Sequence, residues 1–318
     1  MTPEYYADLY CQYHNFMKNY SSTPMLRIAS GLGGSDTSAS DIAIFMERVM
    51  TRRHPVRTDA VSIHYYVYLR NHERHSATQF GEREWYEVLK LADDIDDVIA
   101  RNAAVLDRYD PDKRIWLIVD EWGTWYPPAP GTNPEFLYQQ NTVRDALVTA
   151  QTLHIFQKHS DRVQMANIAQ TVNVLQALFL TQGETLVLTP TYHVFDLLQG
   201  HQDADKLAFD LTAATFEVDG KALNEVSAGV SRAANGEVLL TLANLRATER
   251  VQLDITLEGM EVSGISGREL AADHITALNT FETPDRVQPR PFSGTAQVAA
   301  NHLQVELSPA SVTALTLR

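Results

Sequence analysis

Apolar and polar positions follow two different rhythms along this chain. Over roughly the first 200 residues, short apolar runs alternate with stretches whose apolar residues recur every three or four positions. The runs predict buried strands and the stretches predict amphipathic helices. Helices are expected over 4–20, 41–50, 83–107 and 135–157. A further apolar helix is expected through Val172, Leu175 and Phe179. Strands are expected over 25–29, 60–66, 115–119 and 163–168. Alternating β and α units of this kind predict a parallel sheet.

Near Asp205 the rhythm changes to period two. Val238–Leu242, Val251–Leu257 and Leu303–Leu307 each alternate apolar with polar residues. Turn signals separate such runs at Asp219-Gly220, Asn235-Gly236, Glu258-Gly259 and Ser263-Gly264. Asn-Gly between alternating runs is a strong hairpin cue, and short strands at this spacing predict a β-sandwich. The expected division is therefore an α/β region over residues 1–205 and an all-β domain over 206–318, joined by a linker at 200–205.

The strand through Trp116 carries the chemistry. Its apolar run, Ile115 to Val119, stops at Asp120 and Glu121, and Trp122, Trp125 and Tyr126 follow. A carboxylate at the C-terminal end of a parallel strand stands where barrel enzymes place catalytic groups. Aromatic faces beside it suit a sugar ring. In a regular strand Asp120 turns to the face opposite Glu121 and reads as structural. Ser62, His64 and Tyr66 fall near the end of the preceding strand.

Composition narrows the partners. The 318 residues carry a net charge of −14, with 44% hydrophobic and 21% charged residues. Such a balance disfavours a nucleic-acid backbone or an anionic membrane and leaves a neutral glycan open. The single cysteine, Cys11, reads as a small buried hydrophobe and demands no oxidising compartment. No apolar run approaches the ~18 residues of a membrane span, and the first residues do not read as a signal peptide. Gly31-Leu32-Gly33-Gly34 lacks the lysine of a phosphate-binding loop. The pair His72 and His75 has metal-like spacing without an evident third ligand, so no metal or cofactor is expected.

Four segments in order resemble glycoside hydrolase family 51, the α-L-arabinofuranosidases. They are Ser62-Ile63-His64-Tyr65-Tyr66, Asp120-Glu121-Trp122-Gly123 with Trp125-Tyr126, Met165–Asn173, and Thr189–Phe195. The resemblance implies a (β/α)₈ barrel followed by a β-sandwich, and a retaining mechanism with two glutamates. It implies Glu121 as nucleophile, with Tyr66 hydrogen-bonded to it and His64 ordering the site. It also implies Gln170 on the bound arabinose and Trp125 lining the pocket. The implied substrate is an arabinan- or arabinoxylan-type oligosaccharide with terminal arabinofuranosyl groups, and the implied setting is a cytoplasmic homo-oligomer.

The second glutamate of the resemblance belongs to an Asn-Glu pair after the fourth barrel strand. Here Asn-Glu occurs once, at Asn224-Glu225, inside the all-β region. The expectation is thus barrel strands five to eight plus the sandwich, with the N-terminal barrel half and the acid/base outside this chain. Activity of these residues alone should be impaired. Two rivals stay open: another retaining glycosidase of the same clan, acting on xylosides or β-glucans, or a non-catalytic glycan-binding or assembly remnant.

Overall fold

A computed structural model of the chain describes residues 1–32, 36–68, 76–299 and 301–318. Gly33, Gly34, His72 and His75, singled out above, lie outside the described residues. The chain divides into two compact units. One comprises Met1–Tyr66, Asp94–Trp122 and His159–Ile168; the other comprises Val67–Asp93, Gly123–Lys158 and Ala169–Arg318.

In the first unit a four-stranded sheet runs in sequence order through β1 (Ile28–Ala29), β2 (Ala60–Val67), β3 (Trp116–Thr124) and β4 (Val163–Ile168). Pairing is parallel between β1 and β2 and between β3 and β4. Neighbour-to-neighbour order is that of successive barrel strands, whereas a doubly wound sheet reverses its order. Val61, Ile63, Leu117, Ile118 and Val119 are fully buried, as the apolar runs require. Helices α1 (Pro3–His14) and α2 (Ser38–Met50) pack together. The buried positions of α2, Ile42, Phe45, Met46 and Val49, keep helical spacing.

Beneath the N-terminal ends of β3 and β4, the buried Arg162 gathers Asp107, Asp110 and the carbonyl of Ile115. Asp110 in turn accepts from the Ile115 amide at 2.6 Å. This buried ion pair spares the guanidinium an unpaired charge. Among the described residues β1 and β4 each have one neighbour. Met25, Leu26 and Ile28 stand exposed at the β1 edge, and Met165 does so on β4.

The second unit is built on a sandwich. Its larger sheet orders Arg290–Pro291, Ile265–Leu270, Ser311–Leu317, Val238–Asn244, Val226–Arg232 and Asp205–Lys206, all antiparallel. The smaller sheet orders Val251–Thr256, His302–Leu307 and Ala296–Ala299. Val238, Leu240, Leu242, Leu315 and Leu317 from the first close on Val251, Leu303, Val305 and Leu307 from the second. Every second residue points inward, which is why the period-two runs marked these strands. Asp219 and Gly220 both take positive φ, at 48° and 75°, and turn the hairpin Thr215–Val218 to Lys221–Asn224.

Four of the expected helices differ, and the one expected over 135–157 starts at Val143. The first ends at His14. The expected 83–107 helix is two, α3 (Glu82–Asp93) and α4 (Ile95–Tyr109), and they lie in different units. Asp93, Asp94, Asp96 and Asp97 fall at the break. Carboxylates there favour a new helix N-terminus and would be costly near the middle of one. The helix expected through Val172 to Phe179 does not form. Asn173 and Leu175 take positive φ, and Phe179–Gln182 pairs with Thr185–Leu188 as a hairpin. The Asn173 side chain holds the Thr181 amide and hydroxyl, which competes with a helix. The helix α6 (Pro190–Leu198) follows this hairpin, capped by the Thr189 hydroxyl.

Helix α5 (Val143–Lys158) lies on the larger sheet of its unit. Gly229 permits the approach, because a Cβ there would come within 2.8 Å of the His154 ring. His154 bonds Ser227 through Nδ1 and Thr241 through Nε2, both at 2.9 Å. His201, from the expected linker, bonds Ser231 at 2.7 Å and the same Thr241 hydroxyl at 2.8 Å. The linker is therefore fastened to the sheet. Burial holds His154 at about 3 and His201 at about 4, against an ordinary 6.5. For His154 the nearby His201 adds to the effect.

The unfolded chain takes up protons at these histidines near pH 6.5 while the folded unit still refuses them. Stability from this cluster is thus complete above pH 6.5 and is lost as pH falls toward about 4. Each histidine contributes a slope of up to about 1.4 kcal/mol per pH unit. Urea denaturation between pH 7 and 5 should show a falling midpoint, with a shallower fall in His201→Gln. An equal slope in the variant would disprove the assignment.

Candidate active site

Strand β3 does not stop where its apolar run stops. It continues through Asp120 and Glu121 to Thr124. Its pairing with β4 slips between Val119 and Trp122. Asp120 and Glu121 are both half-buried, between the buried Val119 and Trp122. A bulge of this kind breaks the alternation of a strand and re-aims side chains. The expectation that Asp120 faces away from Glu121 is corrected here: both carboxylates reach the same imidazole. His64 Nε2 stands 3.2 Å from Asp120 Oδ1, and Nδ1 stands 3.4 Å from Glu121 Oε2.

Tyr66 completes the group. Its hydroxyl donates to Glu121 Oε2 at 2.9 Å. His64 and Tyr66 sit two residues apart on β2, so the pleat sends both to one face. Burial pushes the Tyr66 phenol well above its ordinary range, and the hydrogen bond and charge of Glu121, with Asp120 behind it, push the same way. Glu121 Oε1 accepts no hydrogen bond among the described residues. One oxygen of the carboxylate is anchored and the other is open.

The structure brings His64, Tyr66 and Glu121 together. Trp125 and Gln170 belong to the second unit. The Trp125 amide donates to the Val67 carbonyl at 3.0 Å, and its ring lies 6.5 Å from that of Tyr68. Gln170 is exposed, follows a cis peptide bond after Ala169, and gives its amide to the Val174 carbonyl. Asp120 is the member that sequence reasoning set aside. Two adjacent carboxylates after an apolar run were visible, but a bulge has no signature in the run itself.

Parallel βα units in barrel order, a carboxylate anchored at a strand end and an appended sandwich define a glycosidase-type barrel module with a C-terminal β domain. Residues 120–311 match the family model described as the alpha-L-arabinofuranosidase C-terminal domain, and the chain belongs to that family. An intracellular exo-alpha-L-arabinofuranosidase of Bacteroides ovatus is 39% identical over the whole chain. The chain spans 61% of that relative's length. The crystal structure of the GH51 arabinofuranosidase from Xanthomonas axonopodis pv. citri superposes with a TM-score of 0.94 at 39% identity, covering 100% of this chain and 63% of that one. A family 51 alpha-L-arabinofuranosidase from Bifidobacterium longum shares the fold, with a TM-score of 0.83 at 23% identity over 100% of this chain and 64% of that one.

The anchoring of Glu121 is measurable without any substrate. Replacing Glu121 by Gln removes the charge that opposes ionisation of Tyr66. In ¹³Cζ-tyrosine NMR, Tyr66 should resist alkaline titration in the wild-type chain and ionise at lower pH in Glu121→Gln. Identical titrations would show that the two side chains do not share the hydrogen bond.

Proposed function

We propose that this chain carries the nucleophile portion of a retaining exo-α-L-arabinofuranosidase. Residues 1–205 contribute barrel strands five to eight and residues 206–318 the sandwich. The observation that supports this most is the anchored carboxylate: Glu121 Oε2 held by the Tyr66 hydroxyl, with Oε1 left open. In this reading Oε1 attacks the anomeric carbon of a terminal arabinofuranosyl group and forms a glycosyl ester. The glycosidic C–O bond breaks, and its electron pair leaves with the aglycone oxygen. A second carboxyl protonates that oxygen and later takes a proton from the attacking water. Trp125 and Gln170 serve the bound sugar.

The second carboxyl is not Glu225. That side chain receives the Arg246 guanidinium at 3.0 Å and the Ala214 amide at 3.2 Å, and is occupied within the sandwich unit. In this reading a polypeptide of these 318 residues depends on the leaving group's own stability. The substrates we infer are arabinan- and arabinoxylan-type oligosaccharides, and the setting we infer is cytoplasmic, in keeping with relatives named as intracellular enzymes. The exposed apolar residues at the β1 edge suit a further copy or the other part of a barrel.

Two assays on the 318-residue chain test this. An arabinofuranosyl inactivator with an activated leaving group should esterify Glu121, detected by peptide mass spectrometry, and should leave Glu121→Gln unlabelled. Arabino-oligosaccharides should be turned over poorly, because general acid assistance typically supplies ~10²–10⁴-fold. Brisk hydrolysis of an arabinoxylan oligosaccharide by this polypeptide would refute the missing-acid reading. Labelling elsewhere than Glu121 would refute the nucleophile.

A further inference from the structure

We propose that Asp120 is a positioning residue that holds the imidazole proton of His64 away from Glu121; this rests on Glu121 being the nucleophile. A neutral imidazole has one N–H and two nitrogens to carry it. Each ring nitrogen of His64 faces a different carboxylate: Nε2 faces Asp120 Oδ1 at 3.2 Å and Nδ1 faces Glu121 Oε2 at 3.4 Å. The two carboxylates compete for one proton, and the tautomer records which of them wins.

Three observations favour Asp120. Its oxygen is the nearer of the two. Its side chain is 28% exposed, against 47% for Glu121, so its charge is less screened by water. Its Oδ1 is buried and accepts no well-formed hydrogen bond, whereas Glu121 Oε2 already receives the Tyr66 hydroxyl. A buried acceptor left unsatisfied is costly. A small rotation of His64 relieves that cost at Asp120 and has less to relieve at Glu121. Active-site hydrogen bonds in ligand-free structures are commonly long in this way.

The consequence falls on the nucleophile. With the proton on Nε2, His64 turns a lone pair toward Glu121 and donates nothing to it. Glu121 keeps its negative charge concentrated for attack, with Tyr66 holding Oε2. With Asp120 removed, the proton moves to Nδ1 and becomes a second donor to Oε2. That donor spreads the charge and weakens the attacking oxygen. The bulge at Val119–Trp122 makes this possible, because an unbroken strand would carry Asp120 to the opposite face.

The test uses histidine-selective ¹⁵N NMR on the 318-residue chain, with an amide spectrum confirming that each variant is folded. The wild type should show His64 protonated on Nε2, and Asp120→Ala should show it on Nδ1. Glu121→Gln should leave the proton on Nε2. In parallel, labelling of Glu121 by the activated arabinofuranosyl inactivator should slow about tenfold in Asp120→Ala, the size of one charged hydrogen bond. Should Asp120→Ala misfold, Asp120→Leu, similar in size and without an acceptor, provides the same reading. A His64 already protonated on Nδ1 in the wild type, or unmoved by loss of Asp120, overturns the proposal. Absence of any label on wild-type Glu121 would instead overturn the nucleophile on which it rests.

Discussion

A slip of register inside one strand governs the site. Between Val119 and Trp122 the pairing of β3 with β4 loses step, and two successive carboxylates come to address one histidine. The slip is tolerated because the strand is firmly held on both sides of it. Leu117, Ile118 and Val119 are buried before it, and Trp122, Gly123 and Thr124 are buried after it. At the foot of the same strand, Arg162 closes on Asp107, Asp110 and the Ile115 carbonyl. Local irregularity at a strand's end can be maintained when the flanking core leaves the backbone no alternative.

The second unit shows the same economy with a different device. Its sandwich buries a continuous apolar layer, and α5 lies against the outer face of the larger sheet. That helix is buried nearly all round, so its polar residues need partners inside. His154 finds them on Ser227 and Thr241, and His201, from the turn at 199–201, joins it on Thr241 and takes Ser231. Asp145 finds its partners at Thr124 and Thr142. Gln176 likewise satisfies the Thr124 amide, the Asp145 carbonyl and two threonine hydroxyls. Buried polar groups that find partners in this way rigidify the packing around them. Here they specify where the helix and the turn at 199–201 rest.

Much of the fold was legible from periodicity. Strands β2 and β4 lie within a residue of where their apolar runs placed them. The hairpin at Asp219-Gly220 formed as its turn residues demanded. Misreadings cluster where a local polar group outcompetes an apolar rhythm. Four aspartates divide one apparent helix in two. Asn173 turns an apparent helix into a loop and hairpin. In both cases the apolar spacing was real, and at Asn173 a side chain claims backbone hydrogen bonding nearby.

The sequence by itself determined that two carboxylates would follow a buried apolar run, that a period-two region would come after, and which family those residues resemble. These are properties of spacing and residue type, and spacing survives in one dimension. Only the tertiary structure decided that Asp120 shares the histidine with Glu121. It alone decided which oxygen of Glu121 is anchored, and that Glu225 is spent on Arg246. Those outcomes depend on the register between strands distant in sequence, which no pattern along a single strand encodes.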